Sequence, residues 1–256
     1  MVADSPTRGG VQSVERAFEL LEIMASAGPS IAFGDLAARA ELPQPTIHRL
    51  VRTLLNLGYV RQLPNRHYAL GPKLIRLGES AARLIGAWSR PHLVELVERT
   101  GESANMAVMD NDMAVYVAQV PSPHSMRMFT EVGRRVHMHS TGVGKALLMQ
   151  LPDETVLTLL ERTGMPASSE NTHTTTQSLM RDIELSRSRG YAVDEGEQEL
   201  GVRCFAVPVP DAPTLTAISI SGPESRLTLK SATKVTPLLK QVARDLASEF
   251  EREAAG

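Results

Sequence analysis

Three short stretches near the start of the chain carry apolar residues at helical spacing, and short amphipathic helices persist only when they share a core. Val14, Ala17, Phe18, Leu21 and Met24 recur at i, i+3, i+4, i+7 and i+10, which predicts a helix over 12–26 ended by Gly28-Pro29. A second helix fits Phe33–Ala40, with Leu36 and Ala37 inward. Glu41-Leu42-Pro43 makes a tight connection, and Pro45 suits the first turn of a third helix, where its missing N–H has no helical partner. On that third helix Ile47, Leu50, Val51 and Leu54 share one face, while Pro45, His48, Arg49, Arg52 and Asn56 share the other. Gly58 follows as a C-cap. Tyr59–Gln62 and His67–Leu70 then flank a Pro64-Asn65-Arg66 turn, the pattern of a β-hairpin wing. Two helices and a turn leading into a helix with a free basic face make a helix-turn-helix, whose last helix enters the major groove.

Charge is divided along the chain in the same sense. The whole 256 residues carry a net −2, but residues 1–76 hold nine Lys/Arg against six Asp/Glu (+3), leaving −5 on the rest. Residues 39–76 hold Arg39, Arg49, Arg52, Arg61, Arg66, Lys73 and Arg76 against Glu41 alone. A compact basic segment joined to a larger acidic one fits a small nucleic-acid reader attached to a second domain. Each residue also has a bland reading: His48 as a packed histidine, Arg49 and Arg52 as solvated helix surface. Together, one turn apart and beside a basic wing, the two arginines point to DNA. Arg66 at the wing tip suits a phosphate contact, which positions a protein without reading sequence.

The run Leu42-Pro43-Gln44-Pro45-Thr46-Ile47-His48-Arg49-Leu50, with Thr53-Leu54, Gly58-Tyr59-Val60 and Tyr68-Ala69-Leu70-Gly71, resembles the DNA-binding domain of IclR-family transcriptional regulators. The resemblance extends through almost the whole chain. It implies an α+β protein: an N-terminal winged helix-turn-helix (1–72), a linker and dimerisation helix (73–90) and a C-terminal GAF-like α/β effector domain with a mainly antiparallel sheet (91–256). It also implies a homodimer or homotetramer, double-stranded operator DNA as partner, and Gln44, Thr46, His48, Arg49, Arg52 and Arg66 as the DNA-facing set. Leu74, Leu77, Ala81, Leu84, Ile85 and Trp88 mark an apolar stripe on a helix from Lys73 to Trp88, expected to pack against its copy in a second subunit; packing onto its own effector domain is the alternative.

The second part mixes strands and helices. Residues 92–100 read as a helix, and Asn105–Met109 and Met113–Val120 as a hairpin around Asp110-Asn111-Asp112. Further strands are expected at Met126–Thr130, Val202–Val209 and Thr214–Ser221, with helices near 144–150, 153–163, 175–189 and Ser231–Glu251, the last burying Leu239, Val242, Ala243, Leu246 and Phe250.

Three segments here can converge on a ligand. His139-Ser140-Thr141-Gly142-Val143-Gly144-Lys145 is a glycine-containing turn opening a helix, whose free N–H groups favour an anion. It is too short for a Walker A loop, which excludes nucleotide hydrolysis by that route. Gly190–Glu197, with Gly201-Val202-Arg203-Cys204 beyond it, is the second. Ala217–Pro223 is the third; strand alternation puts Ser219 and Ser221 on one face, where their hydroxyls need partners. These segments match the family's effector signature. Carried over, the backbone at Gly142 and Val143, with Asp194, Cys204, Ser219 and Ser221, would hold the polar end of a small ligand, and Met128, Val136 and Val202 its apolar wall. Cys204 and the serine pair are most like the branch sensing short 2-oxo acids such as glyoxylate or pyruvate, which includes the acetate and allantoin regulators; an aromatic-acid sensor is the alternative. Val143 stands where that branch has alanine, narrowing the pocket. The resemblance thus implies a repressor of a catabolic operon.

Bland readings apply here too: Cys204 as a small core residue, Asp194 as a turn cap, and His137 and His139 as surface or turn structure, since two histidines without a third ligand are weak evidence of a metal. The single cysteine excludes a disulfide framework. Nothing in the sequence pairs it with a base, so an enzyme is not expected, nor a cofactor. With no signal peptide and no run of about 20 apolar residues, a cytoplasmic protein without membrane contact is expected.

Overall fold

The computed structural model describes residues 10–85, 89–128 and 130–254, and the chain divides into two compact units, Met1–Ala81 and Ala82–Gly256. The division falls inside the segment 73–90 expected to connect the domains.

In the first unit α1 (Gln12–Ser26), α2 (Phe33–Ala40) and α3 (Gln44–Leu57) form one core from Leu20, Met24, Leu36, Ile47, Val51 and Leu54. Burying each of these side chains fully is worth about 2–3 kcal/mol, which short helices do not otherwise have. Glu41 ends α2 with φ 49°, turning the chain into α3, and Gly58 ends α3 with φ 80°, its N–H returning to the carbonyls of Leu54 and Leu55. β1 (Val60–Gln62) and β2 (Tyr68–Leu70) pair antiparallel with Arg61 opposite Ala69. The wing is closed onto the end of α3 at Gly71, where a Cβ would lie 2.2 Å from the Gly58 carbonyl oxygen. α4 (Lys73–Ile85) follows; Leu74 packs on the unit's own core, whereas Ile75 and Leu77 are exposed. Gly86–Trp88, the end of the expected linker helix, lie outside the described residues, and so do the side chains of Leu84 and Ile85.

The second unit is built on a six-stranded antiparallel sheet ordered β5-β4-β3-β8-β7-β6. α5 (Arg90–Thr100) leads into β3 (Ser103–Asp110) and β4 (Met113–Val120), then β5 (Arg135–Val136), α6 (Gly142–Leu148), α7 (Asp153–Thr163), α8 (Thr176–Arg189), β6 (Ala192–Glu195), β7 (Val202–Val209), β8 (Thr216–Pro223) and α9 (Ala232–Ala254). Alternation along each strand separates two cores. Met106, Phe205, Val207, Ile218 and Ile220 pack against Leu93 and Leu96 of α5 and Leu239, Val242 and Leu246 of α9. On the opposite face the strands offer small residues, Ala107, Ala192, Ala206 and Ala217, so that α6 with Val143, Ala146 and Leu147 lies close against the sheet. One irregularity breaks the alternation: Met106 pairs with Ala118 but Ala107 with Tyr116, leaving Val117 as an extra residue in β4. Tyr116 and Gln119, three apart, are thereby opposite Ala107 and Asn105, which share a face.

One expectation fails. The strand over Met126–Thr130 does not form: residues 126–128 are irregular because their carbonyls are bonded elsewhere, Met126 O to Arg226 and Met128 O to Ser103 Oγ, and Phe129 lies outside the described residues. The outer edge of β4 is occupied by Arg135–Val136 instead. His139, expected at the surface or in a turn, lies in a tight helical turn over Met138–Ser140, 1 % exposed, with Nε2 at 3.1 Å from the Pro166 carbonyl. The candidate ligand segment Gly190–Glu197 contains a strand, Ala192–Glu195, that the sequence reading does not assign. No helix among the described residues is long and apolar enough to cross a membrane.

Candidate functional site

The first unit presents one basic face. α3 buries Ile47, Leu50, Val51 and Leu54, and the remaining 3.6-residue period leaves Gln44, His48, Arg49 and Arg52 exposed, with Thr46 half-buried in its first turn. His48 stacks on Phe33 of α2, ring centroids 4.1 Å apart, so one face of its imidazole is occupied by packing and its edge faces outward. Arg66 stands exposed at the wing turn with φ 65°. A left-handed residue that is not glycine is uncommon. Here the backbone is held by Arg66 N–H donating to Leu63 O at 2.9 Å and by the Asn65 carboxamide oxygen accepting from His67 N–H. Helix, wing and the charge of both thus lie in one compact unit, and all six expected DNA-facing residues belong to it.

In the second unit the three segments read from sequence meet on the α6 side of the sheet. Asp194 is the ladder partner of Cys204, and Cys204 of Ser221; Ser219 lies one residue pair further along β8, opposite Asn105 on β3. Gly142 opens α6 directly over Cys204: a Cβ there would be 2.6 Å from Sγ. Gly142 and Val143 occupy the first turn, where N–H groups lack intrahelical acceptors, and Thr141 caps it by accepting from Gly144 N–H at 3.1 Å. Val136 and Val143 are buried in the adjoining aliphatic cluster. Val202, at the near end of β7, and Met128, whose carbonyl accepts from Ser103 Oγ at 2.9 Å, are half-buried at the margin.

The polar floor of this face includes residues that sequence reasoning missed. The Asn105 carboxamide lies 3.4 Å from Ser221 Oγ and 3.5 Å from Ser219 Oγ, and 3.1 Å from the carboxamide of Gln119. Burial, and then the charges of Cys204 and Asp194, push the Tyr116 phenol above its ordinary value. Burial and then the Glu197 carboxylate lift Asp194 to about 7, against an ordinary 3.8, and its Oδ1 accepts from Glu197 N–H at 2.7 Å. Turn cap and ligand-facing carboxyl are compatible roles for one side chain, since a carboxyl has two oxygens. Burial raises the Cys204 thiol to about 12. A thiol so held is neutral at physiological pH and a poor nucleophile, suited to packing and weak hydrogen bonding.

Lys145 was quoted from sequence only as part of the turn, yet it anchors the site. Its side chain is fully buried, with Nζ 2.5 Å from Glu197 Oε1 and 2.7 Å from Asp182 Oδ2. Burial alone would lower its pKa, but these carboxylates more than offset that and hold it above the ordinary lysine value. His173, Asp182 and Glu197 bring ligand atoms within 4.8 Å of one another, but the lysine ammonium already supplies the cation there. The loop after β6 is tied down further by Thr172 Oγ1 to Glu197 O at 2.6 Å and Ser140 Oγ to Gln198 Oε1 at 3.1 Å.

Comparisons with known proteins find matches for both parts of the chain. Residues 82–248 match the family described as "Bacterial transcriptional regulator IclR C-terminal", and residues 13–64 the IclR helix-turn-helix domain. The chain is 38 % identical over 256 residues to the transcriptional repressor IclR of Escherichia coli, covering 97 % of this chain and 93 % of that protein. It is 37 % identical to the acetate operon repressor of Salmonella typhimurium, covering 96 % and 92 %. Among solved structures, a transcriptional regulator from Rhodococcus sp. RHA1 superposes with a TM-score of 0.81 at 29 % identity, over 95 % of this chain and 99 % of that one.

Proposed function

Because the chain belongs to the IclR family of bacterial transcriptional regulators, we propose that it is a repressor of a catabolic operon, controlled by a short carboxylate of the glyoxylate or pyruvate kind. The observation that carries the effector reading is the convergence of Gly142, Asp194, Cys204, Ser219 and Ser221 on one buried face. Backbone N–H groups at Gly142 and Val143 suit a carboxylate, and Asp194, Cys204 and the serines suit a neutral polar end. The names of the relatives, a repressor and an acetate operon repressor, support the same reading.

DNA is met by α3 in the major groove, with Gln44, Thr46, His48, Arg49 and Arg52 toward base edges or flanking phosphates and Arg66 toward the backbone. Two copies associate through α4, where Leu77 is exposed, and present two recognition helices to a pseudo-palindromic operator. Effector binding changes how the copies pair, and hence the spacing of the helices. Operator and effector then alter each other's affinity by the same factor, about 1–3 kcal/mol. Calorimetry of the full chain with glyoxylate, pyruvate and aromatic acids, followed by operator titrations at saturating ligand, tests this. Binding of aromatic acids alone would replace the effector class, and an operator affinity that ignores saturating effector would remove the mechanism.

A further inference from the structure

The floor of the effector face is a chain of amides whose polarity is set at one end. The Gln119 carboxamide lies against the backbone of Thr130, 9 % exposed, and only one orientation satisfies both backbone groups: Oε1 accepting from Thr130 N–H at 2.7 Å and Nε2 donating to Thr130 O at 2.8 Å. The opposite orientation sets oxygen against oxygen and N–H against N–H. A backbone amide cannot turn over, so Thr130 decides the matter. With Oε1 so placed, the Asn105 atom 3.1 Å from it must be the donor Nδ2. Asn105 Oδ1 is then the atom beside Ser221 and Ser219, 3.4 and 3.5 Å from their oxygens. Asn105 is 1 % exposed and Ser219 fully buried.

Asn105 Oδ1 and the Cys204 sulfur, which is also within hydrogen-bonding reach of both hydroxyls, offer the serine hydrogens acceptors inside the protein and leave serine lone pairs for a ligand. We propose, resting on the reading of this face as the effector site, that its Ser219–Ser221 end takes a hydrogen-bond-donating group of the effector, a hydroxyl or N–H, with its carboxylate at the Gly142–Val143 end. Asn105 and Gln119 act as positioning residues that exclude the opposite arrangement. The ligand class is narrowed to small acids bearing a donor next to the carboxylate: 2-hydroxy acids, hydrated 2-oxo acids and acid amides.

Calorimetry on the full-length protein with pyruvate, the two lactate enantiomers and oxamate tests this. Pyruvate offers only acceptors beyond its carboxylate, lactate replaces the ketone by a hydroxyl, and oxamate replaces the methyl by an amide of nearly equal shape. Oxamate or one lactate is expected to bind at least tenfold tighter than pyruvate, and the preference should fall below threefold in Asn105→Ala. Pyruvate as the tightest ligand, or a preference that survives Asn105→Ala, overturns the proposal. If Ser219→Ala leaves every affinity unchanged, or no acid binds, the site reading fails and takes the proposal with it. The orientation is read without ligand by selective nitrogen-15 labelling of asparagine: contacts from the Asn105 side-chain NH2 to Gln119 support it, and contacts to the Ser219 and Ser221 methylenes refute it.

Discussion

Replacing Asp194 by asparagine removes a carboxyl that the folded domain keeps largely protonated up to neutrality. The group is 5 % exposed, and burial, then the charge of Glu197, lift it from 3.8 to about 7. An unfolded chain releases the proton near the ordinary value and the folded chain only near 7, so between those limits the folded state binds more protons. Stability therefore falls as pH rises through this window and levels off above it. A displacement of about three pH units at about 1.4 kcal/mol each puts the ceiling near 4 kcal/mol. Asparagine keeps the oxygen that accepts from Glu197 N–H, has no proton to lose, and should escape the penalty. Urea unfolding of the full chain, followed by far-ultraviolet circular dichroism through the larger domain's transition, should show Asp194→Asn gaining on the wild type by up to about 4 kcal/mol between about pH 4 and pH 8.5. The difference between the two proteins isolates this group, because the other titrating residues are common to both. Parallel pH profiles would refute a buried, protonated Asp194.

The same carboxyl predicts that carboxylate effectors bind more weakly as pH rises through 7, since a negative Asp194 repels them, and that Asp194→Asn flattens this dependence in calorimetry across that range. Lys145→Met should cost about 3–5 kcal/mol in urea unfolding, because Glu197 and Asp182 lose a buried counter-ion; Lys145→Arg, too large for the space, should not restore it. Gly142→Ala should abolish effector binding while operator binding in the absence of effector persists, its methyl colliding with Cys204 Sγ; unchanged calorimetry would mean that α6 is free to shift. Arg49→Ala should reduce operator affinity about tenfold or more and lower its salt dependence, with effector affinity intact; equal loss of both would end the division of labour between the two units.

The small domain was legible because its helices are short, amphipathic and bounded by breakers, and Gly58 and Pro45 carry conformational requirements of their own. The serine pair of β8 was legible for a similar reason, since alternation along a regular strand assigns faces. Gln119 was not, because Val117 is an extra residue in β4 and regular counting places Tyr116 and Gln119 on opposite faces, and Asn105 was not, because its serine partners stand 114 and 116 residues away. Lys145 was hidden differently: a lysine reads as surface until its partners Asp182 and Glu197, 37 and 52 residues away, are brought to it. The failed strand at 126–130 is alternating and apolar enough to form one, but tertiary hydrogen bonds from Arg226 and Ser103 claim its carbonyls.

The closure at Gly71 bears on how such a reader can change its target. With a Cβ at that position lying 2.2 Å from the Gly58 carbonyl oxygen, the wing has no slack against the end of α3, and Arg66 is held at a set distance from Arg49 and Arg52. The domain is in effect a caliper with a locked jaw. New operators must be reached by exchanging the side chains on its two tips, because opening it would cost the fold its seam.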